Sequence, residues 1–323
     1  LRKTFGIGDW RADWIRSAGA SGAPPTPIYT AFNGGYVFGR AGWRPQPTDP
    51  DTYYSVRFSS TRPNTAHTHD DGGSVTLWSR GVQWIEDPGP YRYENGSSLR
   101  WYMKSRAAHS SITVSNVPRT LSGGVRKVMS RSDWKLGGND VTCVVDRTYG
   151  PVTNTRCIDY VRSVDALIVV DYIDARPISG TAKFKKSAPV RVVTQRWQLA
   201  PGVSSEAWAP ATVDAAGLPV GQLGLASGDK KLDVAYSGNG VWGITPATGK
   251  SNAGWSTGKW GEKLPGAVLS REVRLPADGG QQVLVSVFVP RTAAESVPIT
   301  IGPSGVTITR NGLTITTPLP PKP

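Results

Sequence analysis

The chain has three histidines, and all fall in the stretch 64–116: His67, His69 and His109. Asp71 follows His69 by two residues, and Asp87 stands between the second and third histidines. Neutral imidazole nitrogens and a carboxylate oxygen are a usual ligand set for zinc. Two histidines with one carboxylate leave a fourth position for water or substrate. Imidazole also donates and accepts protons near neutral pH. The spacing is looser than an H-E-x-x-H motif, so two readings stand: a divalent metal site, or histidines hydrogen-bonded at strand ends.

The same stretch interleaves Tyr91, Tyr93, Trp101 and Tyr102 with Arg92, Arg100, Lys104 and Arg106. Aromatic faces suit sugar rings, and cations suit sugar carboxylates or sulfates. Two or three of these side chains in a cleft would make a saccharide site. Most are expected to be half-buried sheet residues and a solvated charged face. Asp70, Asp71 and Glu86 keep a paired-carboxylate hydrolase open, although support of strands and ligands is their expected role.

The elements that must position these residues read as strands. Side chains at i and i+2 of a strand share a face, which would align His67, His69 and, if the strand continues, Asp71. Residues 73–87 read as a hairpin turning at Ser79-Arg80-Gly81, with Asp87 at its end. His109 begins the next strand, 110–116. Upstream, 28–44 turns at Asn33-Gly34-Gly35, and 52–60 alternates. Downstream, strands are expected within 124–136, 140–149, 155–175, 182–202, 231–247 and 267–291. The apolar run Ala166–Val170 is fit for an interior strand. Asn239-Gly240 and Asn311-Gly312 are hairpin signals. A single helix is expected, capped by Asp9 with Trp10, Trp14 and Ile15 on its apolar face. Cys143 and Cys157 lie symmetrically about Gly150 in two strand-like runs. They would be opposed in a hairpin, either as a cross-strand disulfide, which implies an oxidising compartment, or as half-buried thiols.

The chain of 323 residues carries 37 Gly, 26 Pro and 2 Met, which together with its many short Val/Ile/Thr runs favours an all-β chain rich in turns. The net charge of +13 makes polyanions natural partners. With no long Lys/Arg run and no nucleic-acid-binding motif, nucleic acid is disfavoured. No stretch reaches the ~18 apolar residues that span a membrane. Starting at Leu1 without an initiator Met, the sequence reads as a processed or partial chain.

Taken together, the 66–114 segment resembles the C-terminal β domain of the heparinase II/III-like polysaccharide lyases, which include alginate and oligoalginate lyases. That family shows H-x-H-x-D, then a strand pair ending in D-x-G-x-Y-x-Y, then R-x-Y, then a His opening a strand. These correspond to His67-Thr68-His69-Asp70-Asp71, to Asp87 through Tyr93, to Arg100-Trp101-Tyr102 and to His109-Ser110. GGYVFGRAGWR (34–44), QRWQLAPG (195–202) and GWSTGKWGEKLPGAVL (254–269) resemble further family segments, in order. The resemblance implies that His69, Asp87 and His109 are zinc ligands and that His67 faces the substrate. It also implies that Tyr93, or less readily Tyr102, reaches the cleft. Ser110 stands where the family has Asn, and Gln198 where its W-H-L segment has His. The family also carries a helical toroid ahead of the β domain, which residues 1–27 cannot supply.

The expected fold is therefore all-β, a large antiparallel β-sandwich (super-sandwich) with a short N-terminal helical remnant. Residues 1–27 would be the remnant and linker, 28–290 the sandwich domain, and 291–323 a C-terminal hairpin and Pro-rich tail packed on it. The expected function is part of a secreted or periplasmic polysaccharide lyase acting on a uronate-containing polymer by β-elimination. On this reading zinc would sit at His69, Asp87 and His109, His67 and Tyr93 would be catalytic, Tyr102 and Arg106 would bind substrate, and a helical toroid domain or chain would be a partner. The alternatives are a non-catalytic acidic-glycan-binding module and a glycoside hydrolase on a related scaffold.

Overall fold

A computed structural model describes residues 10–17, 19–24, 27–43, 52–59, 67–93, 96–120, 124–133, 138–178, 189–213, 218–303 and 305–323. Helix α1 (Trp10–Arg16) forms as the sequence predicts, and Trp14 packs edge-on against Trp43 at 5.5 Å. Asp9, its expected cap, and the side chain of Ile15 lie outside the described residues, as do 134–136 and 182–188 of two expected strands.

The strands, in chain order, begin with β1 (Tyr29–Phe32), β2 (Tyr36–Arg40), β3 (Tyr53–Arg57), β4 (Val75–Ser79) and β5 (Val82–Ile85). After helix α2 (Ser98–Met103) come β6 (Ile112–Val114), β7 (Val125–Ser132), β8 (Asp140–Tyr149), β9 (Val152–Val161), β10 (Ala166–Ala175) and β11 (Val192–Leu199). Next are β12 (Ser204–Val213), β13 (Pro219–Ser227), β14 (Lys230–Ser237) and β15 (Gly243–Pro246). The short β16 (Trp255–Thr257) and β17 (Lys263–Pro265) precede β18 (Ala267–Arg274) and β19 (Gly280–Thr292). β20 (Ile299–Gly302), β21 (Gly305–Arg310) and β22 (Leu313–Pro318) end the chain. One sheet has the order β1-β2-β3-β4-β5-β11-β18-β15, with β6 also on β11; the second runs β12-β13-β14-β19-β10-β9-β8-β7. The fold is an all-β antiparallel sandwich.

The two sheets bury a common core. Tyr54, Leu77, Trp84 and Trp197 from the first meet Tyr160, Leu167, Val169 and Phe288 from the second. The apolar run in β10 has a direct cause. β10 lies between β9 and β19, and alternate residues go to opposite faces. Leu167 and Val169 enter the inter-sheet core, while Ile168 and Val170 meet Ile299, Ile301, Val306 and Ile308 of a third layer built from β20, β21 and β22. Beyond that layer the tail continues over the same face, where the Tyr172 hydroxyl donates to the Pro320 carbonyl at 2.7 Å.

Local turn chemistry explains two of the hairpins. Arg80 and Gly81 take φ of 55° and 82°, and Asn311 and Gly312 take 51° and 78°, the left-handed pairs that two-residue hairpin loops require. Cys143 and Cys157 are directly opposed in the β8–β9 register and are disulfide-bonded. Asn239-Gly240 is different. β14 belongs to the second sheet and β15 to the first, so this link is a crossover between sheets and not a hairpin. Gly238 and Gly240 still adopt positive φ there, so the residues mark a turn but not the partners it joins. Helix α2 was also missed by pattern. Ser97 caps it, its Oγ accepting from the Arg100 amide at 3.3 Å.

Candidate metal and saccharide site

The segment 67–74 is not a strand, contrary to the period-2 expectation; it is an extended loop before β4. Its shape is fixed from behind. Asp70 is buried and accepts from Arg106 Nε at 3.0 Å and from Arg119, and its amide donates to the Lys104 carbonyl at 2.8 Å. Arg106 also pairs with Asp146 at 2.8 Å and donates to the Gly72 carbonyl. With all these partners inside the protein, Arg106 faces away from the cleft. The structure gives it the position of an anchor for the histidine loop, not of a ligand for substrate. Its carboxylate partners outweigh burial and raise its pKa.

His69, Asp87 and His109 converge, their ligand atoms all within 4.8 Å of one another. His69 Nδ1 and His109 Nε2 are 3.3 Å apart, as are His109 Nε2 and Asp87 Oδ2. A tetrahedral ion with ~2.0–2.1 Å bonds would hold its ligands about 3.3 Å apart, so this donor set fits such an ion. His109 is fully buried, and its Nδ1 lies 2.7 Å from the Ser105 carbonyl. A carbonyl can only accept, so Nδ1 carries a proton, and Nε2 is the nitrogen that would offer a lone pair to an ion. Burial drives the His69 pKa down to about 4, which keeps its imidazole neutral and able to ligate. Desolvation alone would raise Asp87. With no ion bound, a protonated His109 donating from Nε2 and the Gly89 amide, donating at 2.9 Å, overcome it and hold the carboxyl at about 2. For His109, burial opposes the Asp87 carboxylate, and the carboxylate prevails, raising its pKa.

His69 and Asp87 line a cleft of about 380 Å³, whose walls also include Tyr36, Arg57, His67 and Tyr93, while His109 of the same cluster is buried. At the mouth the Tyr93 hydroxyl lies 3.2 Å from His67 Nδ1. Arg57 is aimed by its Nε–Asp71 contact at 3.3 Å and by donation to the Gly34 carbonyl at 2.8 Å. Tyr36 is stacked under it, 4.2 Å from guanidinium to ring centroid. Tyr36 and Arg57 were not singled out from sequence. They sit on β2 and β3, and only the sheet register, pairing Tyr36 with Arg57, brings them together at this end of the strands. Tyr102, expected to bind substrate, donates to the Ala107 carbonyl at 3.0 Å instead and does not line the cleft.

The second sheet also holds the site. Arg156 on β9 makes a two-point pair with Asp171 on β10, both contacts at 2.8 Å. Its remaining nitrogen donates to the carbonyls of Gly73 and Ser110, each at 2.7 Å, on the two loops that carry the histidines. The Ser110 hydroxyl accepts from the Gln198 amide at 2.9 Å, so serine holds this strand start well where the family has asparagine. Ser256 donates to Glu86, and Gln198 reaches Ser256 at 3.4 Å. Burial lifts the Glu86 carboxyl to about 7. Glu86, one of the carboxylates named for the hydrolase alternative, does not line the cleft and bonds instead to Ser256.

A family model described as Heparinase II/III-like, C-terminal, matches residues 23–290. The chain belongs to this family. Among solved structures it is similar to heparan sulfate lyase HepC from Pedobacter heparinus, with a TM-score of 0.69 and 15% identity, over 99% of this chain and 46% of that one. A crystal structure of heparinase III matches with a TM-score of 0.69 and 16% identity, over 98% of this chain and 46% of the other. At this identity what is shared is the fold, a sandwich found in polysaccharide lyases. The chain spans less than half the length of these structures. No curated protein matches the sequence.

Proposed function

We propose that the chain is the β-sandwich part of a polysaccharide lyase acting on a uronate-containing polymer by β-elimination, with zinc at His69, Asp87 and His109. The observation that carries this reading is the cleft in which the Tyr93–His67 pair and Arg57 face the histidine–aspartate cluster. In such an elimination the carbon-5 proton is removed, a carbon-4 to carbon-5 double bond forms, and the carbon-4 to oxygen bond breaks as that oxygen takes up a proton. The carbon-5 proton is acidic only when the adjacent carboxylate is neutralised. Arg57 is placed to do this, held by Asp71 and the Gly34 carbonyl so that little ordering is left to substrate. Tyr93 and His67, sharing a hydrogen bond, are a proton-accepting and proton-donating pair. A bound zinc ion supplies positive charge and fixes the loops that carry His67 and Asp87. The disulfide suits an oxidising, secreted or periplasmic setting. A helical domain or chain is the partner we expect to complete the cleft.

The test is incubation with a panel of uronate polymers, reading unsaturated product by ultraviolet absorbance, with the chain alone and joined to any preceding helical domain. Product formation that is lost in His67→Ala is expected. Binding without product in both forms would make the protein a glycan-binding module. Metal analysis should find zinc in the wild type and less in His69→Ala; zinc undiminished by that substitution overturns the ligand set.

A further inference from the structure

The strands β16 and β17 form a small hairpin outside both large sheets. It is docked on the loop that follows Asp87. The Thr257 amide donates to the Pro88 carbonyl at 2.8 Å, the Tyr91 amide to Thr257 Oγ1 at 2.9 Å, and the Gly261 amide to the Tyr91 carbonyl at 2.8 Å. Three hydrogen bonds thus fix the hairpin tip relative to the cleft. The tip presents Trp260, which is 56% exposed. Its ring centroid lies 4.5 Å from that of Tyr93, with the planes at 55°. The two rings make a corner, not a stack, and a broad part of the indole stays open to water. Leaving so large an apolar surface in water is unfavourable, yet the hairpin is anchored so as to keep it there. Trp260 lies one ring beyond the Tyr93–His67 pair, outside the cleft that holds the metal-type cluster.

We propose that Trp260 forms a further saccharide subsite, stacking on the pyranose unit next to the one seated in the cleft. The inference rests on the reading of the cleft as a uronate-polymer site. A pyranose presents a face of C–H groups to an indole, and the Tyr93–Trp260 corner sets the angle at which a polymer leaves the reactive position. Trp260 acts on affinity and on chain length, not on proton transfer.

The test is calorimetric titration of the full chain with uronate oligosaccharides of increasing length. Wild type, Trp260→Ala and Trp260→Phe are compared, with melting temperature and metal content as folding controls. In the wild type, affinity should rise when the ligand becomes long enough to reach past the cleft. Trp260→Ala should erase that rise, weakening long ligands about 5- to 10-fold, while the shortest ligand binds as before; Trp260→Phe should keep most of the rise. Equal affinities for wild type and Trp260→Ala at every length overturn the subsite and leave the cleft reading intact. A uniform loss at every length also overturns it, since Trp260 would then only prop Tyr93. Failure of the wild type to bind any of the oligosaccharides removes both readings.

Discussion

Arg156→Met would break the link between the second sheet and the site. Arg156 is 1% exposed and Asp171 fully buried, so the pair is out of reach of water. Removing the guanidinium leaves Asp171 with amide donors from Asn154 at 2.8 Å and Gln195 at 2.6 Å but no cation bonded to it, Arg271 acting only from beyond Gln195. The Gly73 carbonyl loses the Arg156 donor at the same time, and the Ser110 carbonyl keeps only the Val75 amide at 3.3 Å. Breaking a buried ion pair from one side costs about 3–5 kcal/mol. At ~2.1 cal/mol/K per residue, a chain of this length has an unfolding entropy near 0.7 kcal/mol/K, so the melting temperature should fall by about 6 °C. Guanidinium denaturation at neutral pH reads the free energy. Ser110 adjoins His109, so divalent-cation affinity should weaken in the folded variant as well. Arg156→Lys keeps the charge but cannot serve carboxylate and both carbonyls, and should lose less. A loss below about 1 kcal/mol in Arg156→Met, with cation affinity unchanged, would refute the view that the second sheet positions the site.

Three further expectations follow. Burial raises the Asp159 carboxyl to about 6, so its protonated form is favoured in the fold; its stabilising contribution is full below about pH 4 and is lost as pH rises through 6. Asp159→Asn should therefore gain on the wild type by up to about 3 kcal/mol between pH 4 and pH 7.5 in denaturant titrations, and a pH-independent difference would count against it. Replacing Cys143 and Cys157 together by serine opens a cross-link of sequence separation 14 and should cost about 3 kcal/mol, read as a lower denaturation midpoint in the absence of reductant. Gly89 has φ +77°, and a Cβ there would meet Thr257 Cβ at 3.0 Å; Gly89→Ala should cost about 1–2 kcal/mol and, by pushing the Asp87 loop off the β16–β17 hairpin, weaken cation binding measured by competition with a chelator.

The strands were legible because their causes are local. Alternation, Arg80-Gly81 and Asn311-Gly312 turns, and an apolar run in β10 all act within a few residues. The convergence of His69, Asp87 and His109 was readable as a candidate because all three lie in one stretch. What could not be read was anything set by pairing across the chain. Arg106 looked like a cleft cation among aromatics, but its partners Asp70 and Asp146 lie far off in sequence and take it inward. Arg57 looked like an ordinary strand residue until the register with Tyr36 placed it at the cleft. Asn239-Gly240 carries a hairpin signature, yet a two-residue pattern cannot say whether the next strand returns to the same sheet. Helix α2 is short enough that its Ser97 cap is its main signal, and it was hidden among residues that read equally well as sheet.

The first sheet is split in the sequence. β1 to β5 end at Ile85, and the strand that pairs there, β11, arrives only at Leu199, after the four strands β7–β10 of the other sheet. The Glu86 amide and the Gln198 carbonyl close this seam at 3.0 Å, one residue from Asp87. Closure across so long a loop is slow compared with hairpin formation. The β8–β9–β10 meander can form early from neighbouring residues, whereas the Asp87 end of β5 must wait for β11. The His69–Asp87–His109 geometry should therefore be among the last features to appear in refolding. A cation-sensitive optical signal should lag the bulk recovery of β structure, making the site a timer for completion of the fold.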